Sequence, residues 1–154
     1  MNQVFYPSLY QVNTRVWLTS LSEMLGRPAQ LDDIPDVELD RLAKMGFDWI
    51  WFLSVWRTGK AGQKVSRANR EWRQEFEETL PDLREADIAG SGFAITGYEV
   101  HPDIGGDAAL ARLRKRLAKR GLKLMLDFVP NHMGLDIPGS RATRSISSQG
   151  PGTL

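Results

Sequence analysis

"LKLMLDFVPNHMG", residues 122–134, begins as an apolar run and ends in polar chemistry. Leu122, Leu124, Met125, Leu126, Phe128 and Val129 read as a buried strand, because a short apolar run closed by turn residues suits a covered parallel sheet. Asp127 interrupts the run, and Pro130, Asn131 and His132 close it. An ionised carboxylate in apolar surroundings is costly unless it is hydrogen-bonded. Asp127 therefore needs partners: backbone N–H groups, an Arg or water. It is then either a structural carboxylate that ties down the following loop or a catalytic acid.

Asn131 is a natural turn residue after Pro130, and its carbonyl could also serve a hard cation such as Ca²⁺. His132 is either a packed, hydrogen-bonded histidine or a donor to a ligand hydroxyl at a strand end. His101, in "EVHPD", reads as surface or loop structure.

Upstream, "DAALARLRKRLAKRG" is the clearest helix, with Asp107 as N-cap, Leu110, Leu113 and Leu117 as the buried stripe, and Gly121 as the stop. Its cations, Arg112, Arg114, Lys115, Arg116, Lys119 and Arg120, fill the outward positions and read as a solvated face rather than a nucleic-acid patch. "FAITGYEVHPDIGG" is extended or turning, and Tyr98 within it is a packing residue or an exposed aromatic platform.

Towards the N-terminus, "YQVNTRVWL" (10–18) alternates β-branched and polar residues and predicts a strand. "LDDIPDVELDRLAKMG" predicts a helix with Pro35 in its first turn and Gly46 after its end. "FDWIWFLSVWRTG" (47–59) predicts a second buried strand, fed directly by that helix. Residues 60–90 break the alternation: "GKAGQKVSRANREW" predicts a loop, and "REWRQEFEETLPDLREADIAGSG" a helix in two pieces divided at Pro81. Trp72, Phe76 and Leu80 share one face of the first piece. The order β-α-β-insertion-α-β predicts an α/β fold with parallel strands. Ligands of such sheets meet the carboxyl ends of strands, which is where Asp127, Asn131 and His132 fall.

The net charge of +1 sets up no strong field for nucleic acid or an anionic membrane. The chain has no cysteine, which rules out disulfides and thiolate metal sites and fits a reducing compartment. No apolar run approaches the roughly 20 residues of a membrane span, and "MNQVFYPSLYQVN" does not read as a signal peptide, so the expected location is cytoplasmic. Neither "GxGxxG" nor "GxxxxGK[ST]" is present, against a phosphate-binding α/β domain. Five tryptophans suit either a core or the flat faces of sugar rings.

"DFVPNH" resembles the first conserved region of the α-amylase family, glycoside hydrolase family 13, at the end of its third barrel strand. "VNTRVWL" is similar to that family's first strand, "LAKMGFDWIWFLSVWRTG" to its first helix and second strand, and "GSGFAITGYEVHPDIGG" to the stretch with its substrate-stacking tyrosine. "DAALARLRKRLAKRGLKLMLDFVPNHMG" resembles the helix that leads into strand three. These segments run in the family's order over residues 10 to about 136.

The resemblance implies an incomplete TIM (β/α)8 barrel, comprising its first three parallel strands and their helices. It implies that Tyr98 stacks on the sugar at the cleavage subsite and that His132 hydrogen-bonds the same sugar. Asp127 supports the site, and Asn131 matches a Ca²⁺-binding position that many members use and many others lack. The implied partner is an α-linked glucose oligosaccharide or disaccharide. The implied reaction is retaining hydrolysis or transfer, with two carboxyl groups about 5–5.5 Å apart. The family places those groups after strands four, five and seven, so no catalytic residue is expected in this sequence.

After Asp136 the resemblance stops. "IPGSRATRSISSQGPGTL" has no acid and no aromatic residue, and residues 137–154 are expected to be a disordered or frameshifted tail following a 1–136 barrel portion. A one-base shift of codons for the family-like "HPWV" reads as "IPGS". Two expectations result: a fragment of an α-glucoside-acting enzyme, or a non-catalytic remnant that is at most a weak carbohydrate-binding module.

Overall fold

The computed structural model describes residues 6–85, 87–130 and 133–136. The chain divides into two compact units, one of Met1–Arg57 with Glu99–Phe128 and one of Thr58–Tyr98 with Val129–Leu154.

In the first unit, strands β1 (Leu9–Asn13), β2 (Trp49–Leu53) and β5 (Lys123–Leu126) form a parallel sheet in the order β1-β2-β5. The register aligns Tyr10, Ile50 and Leu124 in one row and Val12, Phe52 and Leu126 in another. Successive side chains alternate between faces, so these rows share a face. That face joins one apolar cluster with Leu18 and Leu21 of helix α1 (Thr14–Leu25), Leu39 and Leu42 of α2 (Asp36–Lys44), and Ala109, Leu113 and Leu117 of α5 (Gly106–Ala118). Phe52 is wholly buried and stacks on Trp17 at 6.1 Å between ring centroids. Burying such a side chain contributes about 1.5–3 kcal/mol. On the opposite face, Leu9 and Met125 are exposed.

The second unit carries helices α3 (Lys60–Ala68) and α4 (Arg70–Thr79). Strands β3 (Trp56–Thr58) and β4 (Ile95–Val100) form a separate two-stranded sheet, and the chain passes from one unit to the other within each of them.

Several local expectations change. The strand expected over 10–18 ends at Asn13, whose side chain caps α1 by accepting from Val16 N–H at 3.3 Å. Burial of Leu18 and Leu21 on a helical face outweighs the β-branched composition. The strand expected over 47–59 breaks at Ser54 into β2 and β3. Asp107 does not cap α5: Gly105, at φ 101°, takes that position, and Asp107 accepts from Val100 N–H at 2.9 Å. The expected loop at 60–69 is mostly helix α3, and among the described residues α4 is not followed by a second helical piece beyond Pro81. No residue of α4 is buried, and Trp72 and Leu80 are exposed. The buried strand read over 122–129 is shorter, and its Phe128 is 78% exposed.

Three of the six cations in and just after α5 pair with aspartates. Arg112 grips Asp32 with bonds of 2.9 and 2.6 Å, Arg116 bonds Asp36 at 2.9 Å, and Arg120 bonds Asp40 at 2.6 Å. One helical period on α5 thus meets the same period in 32, 36 and 40.

Candidate functional site

Asp127 directly follows β5, and Ser54 directly follows β2, its neighbour in the sheet. Both stand at the carboxyl ends of parallel strands, where open α/β sheets receive ligands. Asp127 is 7% exposed and has the partners its burial requires. Trp51 Nε1–H donates to its Oδ1 at 2.8 Å, and the Ser54 backbone N–H donates to its Oδ2 at 2.5 Å. Trp56 Nε1–H donates to the Asp127 carbonyl at 2.8 Å.

Ser54 is the only non-glycine residue with positive φ among the described residues, at 62°. A left-handed conformation costs an L-residue roughly 1–2 kcal/mol. A hydrogen bond to a charged group contributes about 1.5–3 kcal/mol, enough to offset that cost. The carboxylate and the turn between β2 and β3 therefore hold each other.

In the second unit, the Tyr98 hydroxyl accepts from the Val129 backbone N–H at 2.9 Å, while the residue remains 44% exposed. One end of the side chain is fixed and part of its surface stays open. Gly134 N–H donates to the Ile95 carbonyl at 2.7 Å, on the same strand β4. Asn131 and His132 lie outside the described residues.

Of the expected site residues, Asp127 and Tyr98 are thus placed, each within its own unit. Sequence reasoning missed Trp51, Ser54 and Trp56 as the partners of Asp127. The tryptophan count was the available signal, but it suits a core or sugar stacking alike and does not single out hydrogen-bond donors. In the structure Trp17 packs on Phe52, while Trp51 and Trp56 donate to Asp127.

A hollow of about 360 Å³ lies elsewhere in the first unit, lined by Trp56, Leu110, Arg114, Leu124 and Leu126 among others. Its only carboxylate, Asp107, is already engaged by Val100 N–H. As for calcium, among the described residues no group of three or more His, Cys, Asp or Glu could hold a metal ion. Among the described residues no helix is long and apolar enough to cross a membrane.

Among the described residues, the three parallel strands and their helices correspond to part of an α/β barrel. The family model described as the alpha-amylase catalytic domain matches residues 30–148, and the chain belongs to that family. Among solved structures it is similar to a variant of the trehalulose synthase MutB, with 21% identity over 90% of this chain and 19% of that one, TM-score 0.53. It is similar to the alpha-glucosyl transfer enzyme XgtA, with 20% identity, coverage of 90% and 20%, and TM-score 0.56. Eubacterium rectale Amy13B gives 18% identity, coverage of 96% and 23%, and TM-score 0.55. The chain thus spans about a fifth of the length of these structures. No curated protein sequence matches it.

Proposed function

We propose that this chain is a fragment of the catalytic domain of a retaining enzyme acting on α-glucosidic bonds, as hydrolase or transglycosylase. In this reading it supplies sugar-binding rather than bond-breaking residues. The observation that supports it most is the family match over 30–148 together with a buried carboxylate tied across two strand ends. Both oxygens of Asp127 are engaged by the scaffold, which suits a support for the rim and not a nucleophile. Tyr98, anchored through its hydroxyl and partly open, suits a platform for a glucose ring. His132 would add a hydrogen bond to the same sugar, and Asn131 would serve a Ca²⁺ if one is bound. The nucleophile and the acid, about 5–5.5 Å apart in a retaining enzyme, belong to strands beyond these three. The absence of cysteine fits a cytoplasmic setting.

The test is an assay of the purified chain on p-nitrophenyl α-glucoside, maltose, sucrose and starch, with maltose binding measured in parallel. No turnover is expected, and weak maltose binding should be lost in Tyr98→Ala and in His132→Ala. Activity that stays with the pure chain would overturn the assignment of the carboxylates. Maltose binding indifferent to both substitutions would overturn the sugar platform.

A further inference from the structure

Helix α3 has no side-chain N-cap of its own, because the capping position is Gly59. The first turn of a helix leaves backbone N–H groups unsatisfied, and a carboxylate at the N-cap accepts from the second or third of them. Here the acceptor comes from far along the chain: Asp136 Oδ2 takes the N–H of Ala61, the second residue of α3, at 3.1 Å. A Cβ built on Gly59 would stand 1.9 Å from Asp136 Oδ1. Its φ of −96° is open to any residue, so space rather than backbone freedom calls for glycine there.

The same stretch is tied to β4 at two other points. Gly134 N–H reaches the Ile95 carbonyl at 2.7 Å, and Gly134 is buried, with room for no Cβ beside the Ala94 carbonyl at 2.9 Å. Val129 N–H reaches the Tyr98 hydroxyl at 2.9 Å. All these residues belong to the second unit.

We propose that Asp136 is a positioning residue: its carboxylate supplies the N-cap that α3 lacks, holds Gly134 in place against β4, and thereby fixes the attitude of Tyr98. The proposal rests on the reading of Tyr98 as a sugar platform and deepens it. Asp136 touches no sugar in this scheme and acts through Gly134, Val129 and the Tyr98 hydroxyl.

The chain has three tyrosines, so full-length protein labelled with 3-fluorotyrosine gives three fluorine resonances, with that of Tyr98 assigned by its loss in Tyr98→Phe. Asp136→Ala should move the Tyr98 resonance by more than its linewidth and weaken maltose binding roughly five- to tenfold, the scale of a lost cap. The Tyr10 resonance, from a ring 5.0 Å from Phe47 in the other unit, should stay put and certify the fold. Asp136→Asn should restore both readouts, because Asn caps about as well as Asp. Gly59→Ala should reproduce Asp136→Ala by filling the space the carboxylate needs. An unmoved Tyr98 resonance in Asp136→Ala overturns the proposal, as does an Asp136→Asn protein that behaves like Asp136→Ala. If the resonance moves as expected but wild type binds no maltose, the sugar platform falls and the anchoring role of Asp136 stands.

Discussion

Phe52 and Tyr98 stand for two ways of holding a chain together. Phe52 sits in a cluster that runs from Val12 to Leu122, and every buried member of it belongs to the parallel-sheet unit. Among the described hydrophobic residues of the inserted unit, Ile88, Ile95 and Val129 are buried. That unit relies more on polar ties: Arg67 to the Ile88 and Glu85 carbonyls, Arg73 to Glu77 and Glu85, Asp136 to Ala61, and Val129 to Tyr98. Apolar burial is non-directional and scales with area, whereas each exposed polar tie contributes little and depends on geometry. The inserted unit should therefore be the less stable of the two, as segments with few buried apolar contacts generally are. The proposed sugar platform is on this side of the contrast, while the buried carboxylate is on the other.

The contrast is easiest to break at the core. Phe52→Ala should cost about 3–5 kcal/mol in urea unfolding and leave little folded protein, whereas Ile88→Ala should fall near 2 kcal/mol, the low end for aliphatic truncations. Equal losses would mean that the two units share one cooperative core. Trp51→Phe comes next. It keeps an aromatic, though smaller, ring and removes the donor to Asp127 Oδ1, and a loss of about 1–3 kcal/mol is expected from a buried carboxylate short of one partner. No change in the unfolding midpoint would show that Ser54 N–H alone suffices.

Thr14→Val should act in the opposite direction. Thr14 is 1% exposed, and its Oγ1 has no hydrogen-bond partner among the described residues. Exchanging the hydroxyl for a methyl should stabilise the chain by about 1 kcal/mol, read as a raised midpoint with an unchanged denaturant slope.

The smallest effect should come from acid. Arg27 and the Gln30 N–H hold the Asp33 carboxyl at about 2, below its ordinary 3.8. Arg112 and Arg116 lower Asp32 and Asp36 in the same way. A depressed folded-state pKa adds stability above the unfolded value, and that stability is lost as pH falls through the folded one. Melting temperature should therefore decline as pH falls from about 4 towards 2, and Arg27→Gln should flatten the Asp33 share of that decline. These pairs are exposed, so added salt should also shrink the effect.

The parallel strands and their order were legible because their signals are local and periodic: apolar runs at 47–53 and 122–129, and amphipathic helices at 36–44 and 106–118. The insertion after β2 was legible as a break in the alternation. Residues 14–18 were misread because β-branched composition says nothing about an Asn13 cap or the burial of Leu18. Helix α3 was misread for a related reason, since its cap comes from Asp136, 75 residues away. At the candidate site, the need of Asp127 for partners was legible from its apolar surroundings. The identity of those partners was not, because it depends on a register that sets Trp51 beside Met125 and brings Ser54 to the strand end.

The sequence by itself determined the parallel α/β architecture and the placing of Asp127 at a strand end, because periodicity and burial cost are properties of neighbouring residues; the family was carried by the resemblance of its motifs. Only the tertiary structure decided that two indoles and a left-handed serine hold that aspartate and its backbone, and that Asp136 caps α3. Those contacts join residues about 70 positions or more apart, and a hydrogen bond forms only where folding brings donor and acceptor within about 3 Å.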